Sequence, residues 1–385
     1  MQGLPAGWYL DPARTPLEFA QIFAGGWQFV CHVSDLPAAG TAARFDCADR
    51  SAIVLRARSG ELSAFRNVCR HRGARLIDGD RATGLAFCVD ARLRCPYHGW
   101  TYDDSGALVA IPESQRHTAL DHSAQGLYPL PVQQWRGLVF VAFGPPARQL
   151  DEALGQVAGS WPDLAALRRL SEPASVACAA DWKLTCEHLL DTQHLGIARP
   201  GLKPAEHAVP EFDRIGDDAI GGTAALARED QGSWSAQVYR RLASASTGTA
   251  ACAELVFLWP GTLLQLAPEG LTVQQVLPDV AGRCSLRESR YGATDAGRET
   301  RLLRYLHARV RRHALAMDLR LLERTQHGIG NLEPGTAGPV ADNEPALRWF
   351  IERARRACSA AGQDTQPVAP RRTLQRKTRA PAATS

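Results

Sequence analysis

Four residues in two short clusters are the ones best equipped for chemistry: Cys69-Arg-His71 and, after 23 intervening residues, Cys95-Pro-Tyr-His98. Each cluster offers one thiolate and one imidazole from a short loop, so two such loops can close on one small metal group. A zinc finger usually sorts its ligands differently, with Cys paired to Cys and His to His. One ligand of each kind per loop suits a two-iron cluster with cysteine on one iron and histidine on the other. Neutral imidazoles in place of two thiolates reduce the negative charge around the iron and raise its reduction potential. Gly73 and Gly99 suit the turns beside such a cluster, and Trp100 can shield it from water. Cys88, inside the spacer, reads as a small buried hydrophobe rather than a ligand.

A second constellation lies in DWKLTCEHLLDTQHLGIARPG, where Asp181 is placed to cap a helix over 182–198. Glu187, Asp191 and His194 then fall at i, i+4 and i+7, on one helical face. A carboxylate three residues before a histidine can fix the orientation of its ring.

The CxH…CxxH pattern resembles the Rieske [2Fe–2S] family, with a longer spacer than that family usually shows. Over roughly residues 5–355 the resemblance widens. With LPAGWYLDP, WQFVCHVSDLPAAG and AFRNVCRHRGARL, the chain is similar to the catalytic α subunit of Rieske non-haem iron oxygenases, the ring-hydroxylating and demethylating enzymes. The resemblance implies cluster ligands Cys69, His71, Cys95 and His98, and a mononuclear iron held by two histidines and a carboxylate. His194 matches the first histidine, with Asp191 as the carboxylate bridging it to a Rieske histidine. Asp318 matches the third ligand, followed by Glu323 and Gln326. The second histidine falls at position 199, which is arginine, and a guanidinium has no lone pair to give. Three readings stand open. His188 or His207 replaces the missing ligand; or the iron is gone and Arg199 pairs with Asp318 or Asp191; or iron is held by His194, Asp318 and water alone.

The resemblance further implies a flavin or ferredoxin-type reductase fed by NAD(P)H, activation of O2 at the iron, and hydroxylation or demethylation of a small organic substrate. It implies a ring of at least three chains, because the Rieske histidine met by Asp191 belongs to a neighbour. Position 199 leaves room for a different function: an electron-transfer or assembly subunit without mononuclear iron, in a mixed ring with an α-like paralogue. Trp234, Tyr239, Phe257 and Trp259 lie along the stretch expected to wall a substrate pocket, but strand aromatics are more often core, and none is assigned a role.

The elements that must position these residues form a small all-β unit followed by an α+β unit. After a helix over 11–25, period-two patterns run through 52–57, 62–68, 84–89, 100–111 and 137–144, until Pro145-Pro146 interrupts the chain. Strands are expected over 254–259, 262–267, 271–277 and 283–291, with helices over 300–328 and 347–357. The expected organisation is an N-terminal helical segment (1–27), a Rieske domain (28–145), a helix-grip-like catalytic domain with an antiparallel sheet (146–358) and a disordered basic tail (359–385). Of the 385 residues, 45% are hydrophobic and 22% charged, as in packed globular proteins. The net charge of +4 resides in the tail: without its five basic residues, 39 basic face 40 acidic ones, which argues against a nucleic-acid binder. No membrane-spanning run or signal peptide is apparent, so the expected compartment is the cytoplasm. There the ten cysteines are metal-ligand candidates before they are disulfides.

Overall fold

The computed structural model of the protein describes residues 1–78, 84–116, 120–198, 210–225, 238, 241–242 and 252–363. The period-two patterning becomes ten short strands. The first five are β1 (Gln28–His32), β2 (Thr41–Cys47), β3 (Arg50–Arg56), β4 (Leu62–Arg66) and β5 (Leu85–Phe87). The others are β6 (Leu93–Arg94), β7 (Thr101–Tyr102), β8 (Leu108–Ala110), β9 (Val132–Trp135) and β10 (Leu138–Val141). They form three antiparallel sheets, ordered β1-β10-β9, β4-β3-β2-β5 and β6-β7-β8. Ala52, Ile53, Val54 and Leu55 of β3 are all buried because the strand is covered on both faces. Ala52 and Val54 enter one apolar cluster, Ile53 and Leu55 another that also holds the cysteines of the two loops. A strand between two cores reads as a continuous apolar run.

The expected N-terminal helix is shorter than its pattern. Arg14–Glu18 (α1) runs into one π turn over Phe19–Phe23, whose Phe19, Ile22 and Phe23 are buried as the spacing requires. Beyond Pro145-Pro146 come α2 (Leu150–Ala158), β11 (Arg168–Arg169), β12 (Ala174–Cys178) and α3 (Trp182–Leu190). Next are α4 (Leu195–Ala198), β13 (Glu211–Ile215), β14 (Ala219–Ala225), β15 (Cys252–Leu258) and β16 (Thr262–Ala267). The chain continues through β17 (Gly270–Pro278), β18 (Cys284–Gly292), α5 (Arg298–Ile329) and α6 (Pro345–Gln363). The last eight strands make one antiparallel sheet in the order β11-β18-β17-β16-β15-β14-β13, with β12 also on β18. The α+β reading with an antiparallel sheet therefore holds. Sequence patterning passes over β14, AIGGTAA, because it spends its glycines on close approach. A Cβ on Gly222 would lie 2.2 Å from the Glu211 carbonyl oxygen on the bulged β13.

The two units share their interior. Phe45 and Phe143 from the first lie in one cluster with Trp182, Phe257 and Phe350 from the second. Phe29 and Phe140 pack with Leu154, Trp161 and Tyr291. Phe257 and Trp259 are thus core, as strand aromatics usually are. Trp234 and Tyr239 lie outside the described residues, as does everything beyond 363. Helix α6 runs to Gln363, past the expected end of the folded body at 358.

Candidate functional site

The two Cys–His loops are built alike. In each, the glycine four residues after the cysteine donates its N–H back to the cysteine carbonyl, Gly73 to Cys69 at 3.0 Å and Gly99 to Cys95 at 3.1 Å. The next residue then accepts from the cysteine N–H: Ala74 for Cys69, Trp100 for Cys95, each at 2.8 Å. Both glycines have left-handed φ, +74° and +73°, which other residues rarely adopt. The turns bring the side chains together: His71 and His98 meet at 4.6 Å between ring centroids, and the two cysteines are buried beside each other. Trp100 stacks on His71 at 4.8 Å, nearly parallel, and covers it as expected.

Two apposed thiols without a disulfide, with two adjoining imidazoles, form a donor set that fits a two-iron, two-sulfide cluster. Burial raises the Cys69 thiol, while the Tyr102 hydroxyl, 3.3 Å from its sulfur, and the His71 N–H favour the thiolate. The set is graded in depth, the cysteines being inside and His98 exposed next to exposed Tyr97. Cys88 is buried among apolar residues, and loss of solvation pushes its thiol up to about 11, in line with a packing role.

The second site lies where α3 meets α5. Asp181 caps α3, accepting from the Lys183 N–H at 2.9 Å, and its own N–H is held by the Gln326 side chain. The helix ends earlier than expected. Asp191 is its C-cap with ψ of 122°, and its carboxylate accepts from the N–H groups of Gln193 at 2.7 Å and His194 at 3.4 Å. This local turn competes with the helix and wins. Asp191 and His194 therefore share no helical face, which corrects that argument, yet they still meet: Asp191 Oδ2 lies 3.4 Å from His194 Nδ1. Burial alone would raise the Asp191 carboxyl. The His194 ring, the Gln193 N–H and the carboxyl of Glu344 outweigh it and hold the group at about 2. Glu344, buried just before α6, is raised by burial and by Asp191. Nothing in the sequence around Glu344 points to this acid pair; only the fold brings the two together.

Across the gap, Asp318 of α5 faces His188 of α3, Oδ1 to Nε2, at 3.4 Å. The rings of His188 and His194 stack at 4.1 Å. One donor atom each from His188, His194 and Asp318 lie within 4.8 Å of one another, a grouping able to hold a metal ion. Among the described residues, the buried Nε2 atoms of both histidines have no hydrogen-bond partner, as metal-facing nitrogens would, and neither does His194 Nδ1. Arg199 and His207 lie outside the described residues. Of the residues matched beside Asp318, Gln326 latches α5 to the Asp181 N–H and the Tyr9 carbonyl, and Glu323 is exposed. His313 and His327 are exposed along α5, as a charged helical face predicts. Glu187 turns toward the N-terminal segment, accepting from the Tyr9 hydroxyl at 2.7 Å, and desolvation pushes its carboxyl up to about 7. Lys183, 1% exposed, is held between Glu18 and Asp181 at 2.8 Å to each.

Residues 26–134 match the family described as Rieske [2Fe-2S] domain, and residues 164–360 that described as ring hydroxylating alpha subunit (catalytic domain). The glycine betaine monooxygenase oxygenase subunit of Chromohalobacter salexigens is 32% identical over 215 residues, 56% of this chain and 46% of that protein. The carnitine monooxygenase oxygenase subunit of Escherichia coli is 27% identical over 274 residues, 69% and 67% of the two chains. The large oxygenase component of a Burkholderia 2,4-dinitrotoluene dioxygenase system is 30% identical over 52% of this chain and 45% of its own. The chain thus spans from about half to two thirds of the length of these three relatives. Among solved structures, a quaternary ammonium Rieske monooxygenase superposes with a TM-score of 0.76 at 19% identity, over 93% of this chain and 95% of its own. Naphthalene 1,2-dioxygenase from Rhodococcus follows at 0.72 and 21%, over 93% and 94%.

Proposed function

Since the chain belongs to the ring-hydroxylating α-subunit family of Rieske oxygenases, we propose that it is an oxygenase component acting on a small organic molecule. The relatives named above include oxygenases of quaternary amines and of an aromatic compound, and the reading is kept at that breadth. In it, Cys69, Cys95, His71 and His98 hold the two-iron cluster, while His194 and Asp318 belong to the mononuclear site. When bound, the cluster supplies single electrons and the mononuclear iron supplies oxygen activation.

The remaining work falls to the chain's own residues. Buried Cys69 and Cys95 anchor the cluster on the inside, and exposed His98 leaves its histidine edge open to a partner. Asp191 touches His194 and Glu344 and keeps its side chain 31% exposed. An ionised carboxylate there orients the His194 ring and can accept a hydrogen bond from an incoming imidazole. Exposed His98 and partly exposed Asp191 suit a handoff between neighbouring chains in a ring, with electrons arriving from an NAD(P)H-fed flavin or ferredoxin-type reductase.

The observation that carries the reading is the persistence of paired donors between α3 and α5 despite the arginine at position 199. An electron-transfer subunit without iron has no need of bare, inward-facing imidazole nitrogens. The test is isotopic: reduce the protein with a reductase and NAD(P)H, then admit 18O2 with betaine, carnitine and aromatic candidates. Labelled product is expected. A cluster that reduces normally while bound Fe(II) is absent and no label is incorporated would overturn the reading.

A further inference from the structure

We infer that His188 is the second imidazole of the mononuclear iron site, so that the chain rebuilds a set of two histidines and one carboxylate without position 199. The inference rests on the oxygenase reading and names the donor which that reading leaves open. It starts from the fate of the helix after Asp191. Because the Asp191 carboxylate captures the Gln193 and His194 N–H groups, α3 stops at Leu190 and His194 folds back over the helix end. Its ring comes to rest against that of His188, six residues earlier, at 4.1 Å and 28° between planes. Had the helix continued, His188 and His194 would stand about 600° apart around its axis, on well-separated faces.

The third donor arrives from α5, with Asp318 Oδ1 at 3.4 Å from His188 Nε2. With bonds of about 2.1 Å, donors on one face of an octahedron lie about 3 Å apart. The His188–Asp318 pair is already close to that spacing, and all three donors are within 4.8 Å of one another. Modest side-chain movement closes the remainder. His194 Nδ1 faces Asp191, which leaves its Nε2 for the ion, the usual division of labour for a ligating histidine.

A plain His188–Asp318 ion pair accounts for less. It would not explain why His188 Nε2 makes no hydrogen bond at 3.4 Å, nor why His194 Nε2 is buried beside it with no hydrogen-bond partner among the described residues. Two stacked, half-buried imidazoles whose buried Nε2 atoms make no hydrogen bond among the described residues, with one carboxylate across from them, are what a cation requires. His188 is also well supported, standing on a helix capped by Asp181 and anchored through buried Lys183. A rigid element is the better place for a ligand.

The test measures metal rather than turnover. Wild-type protein loaded anaerobically with Fe(II) and treated with nitric oxide should show the paramagnetic signal of a mononuclear iron nitrosyl beside an intact Rieske spectrum. His188→Ala should lose that signal, binding Fe(II) at least about 100-fold more weakly, and keep the cluster spectrum and its two sulfides. Added imidazole should restore the signal, which a merely structural role for His188 would not permit. His188→Asn, closer in size, should behave as His188→Ala does, and the retained Rieske spectrum shows that the fold survives. If both variants bind Fe(II) like the wild type while His194→Ala does not, His188 is no ligand and the oxygenase reading stands. If the wild type gives no mononuclear signal with its Rieske spectrum intact, the oxygenase reading fails, and this inference with it.

Discussion

Glu187 offers a calculable test of how the N-terminal segment is tied to α3. Its carboxyl accepts from the Tyr9 hydroxyl at 2.7 Å, and desolvation lifts its pKa from 4.5 to about 7. Replacing it with glutamine keeps the acceptor oxygen and removes the titration. An acid whose pKa is raised by folding is held protonated more firmly in the native state. Its contribution is therefore full below about pH 4.5 and is lost as pH rises to about 7, after which it stays constant. At 1.36 kcal/mol per decade, the displacement is worth on the order of 3 kcal/mol. In urea denaturation of the iron-free protein, Glu187→Gln should thus gain about 3 kcal/mol relative to wild type between about pH 4 and pH 8. The gain should be confined to the interval in which the wild type loses its proton. Stability curves that run parallel across it would refute the assignment of a desolvated, protonated Glu187.

Other parts of the molecule yield sharper yes-or-no outcomes. Lys183→Met leaves the carboxylates of Glu18 and Asp181 buried without their shared cation, and should cost about 3–5 kcal/mol in the same denaturation assay. Tyr102→Phe removes a hydroxyl 3.3 Å from the Cys69 sulfur and should lower the cluster's reduction potential in a protein-film titration, since hydrogen bonds to sulfur raise it. Asp191→Asn should keep both metal centres yet slow electron delivery to the mononuclear site about 10–100-fold in stopped-flow reoxidation. Because the Asp191 carboxyl is held at about 2, the wild-type rate should show no loss from its protonation between about pH 4 and pH 7.

The two sites differ in how far the sequence exposes them. The Cys–His loops are legible because each is local: six consecutive residues carry the ligands, the glycine and the hydrogen bonds that close the turn. The direction of the cluster, with cysteines inside and His98 outside, is not, since it depends on β3 being buried on both faces. At the second site the residues are readable, but their arrangement is not. A helix over 182–198 fits the composition, and the break at Asp191 comes from a side chain that captures two backbone N–H groups, a choice periodicity does not record. That break decides that His188, rather than the i, i+4, i+7 face, meets His194. The partners of these residues are more remote still. Tyr9 on Glu187, Glu18 on Lys183 and Glu344 against Asp191 join positions more than 150 residues apart, and no local spacing encodes them. The same holds for α2, whose Leu150, Ala153, Leu154 and Val157 carry a helical stripe that is easily read as linker after Pro145-Pro146.

The most direct measurement is the ratio of iron to acid-labile sulfide per chain in protein purified without oxygen. Three irons with two sulfides are predicted, two irons in the cluster bound by Cys69, His71, Cys95 and His98 and one between α3 and α5. Two irons with two sulfides, unchanged after loading with Fe(II), would contradict the account and leave a chain that carries electrons but activates no oxygen.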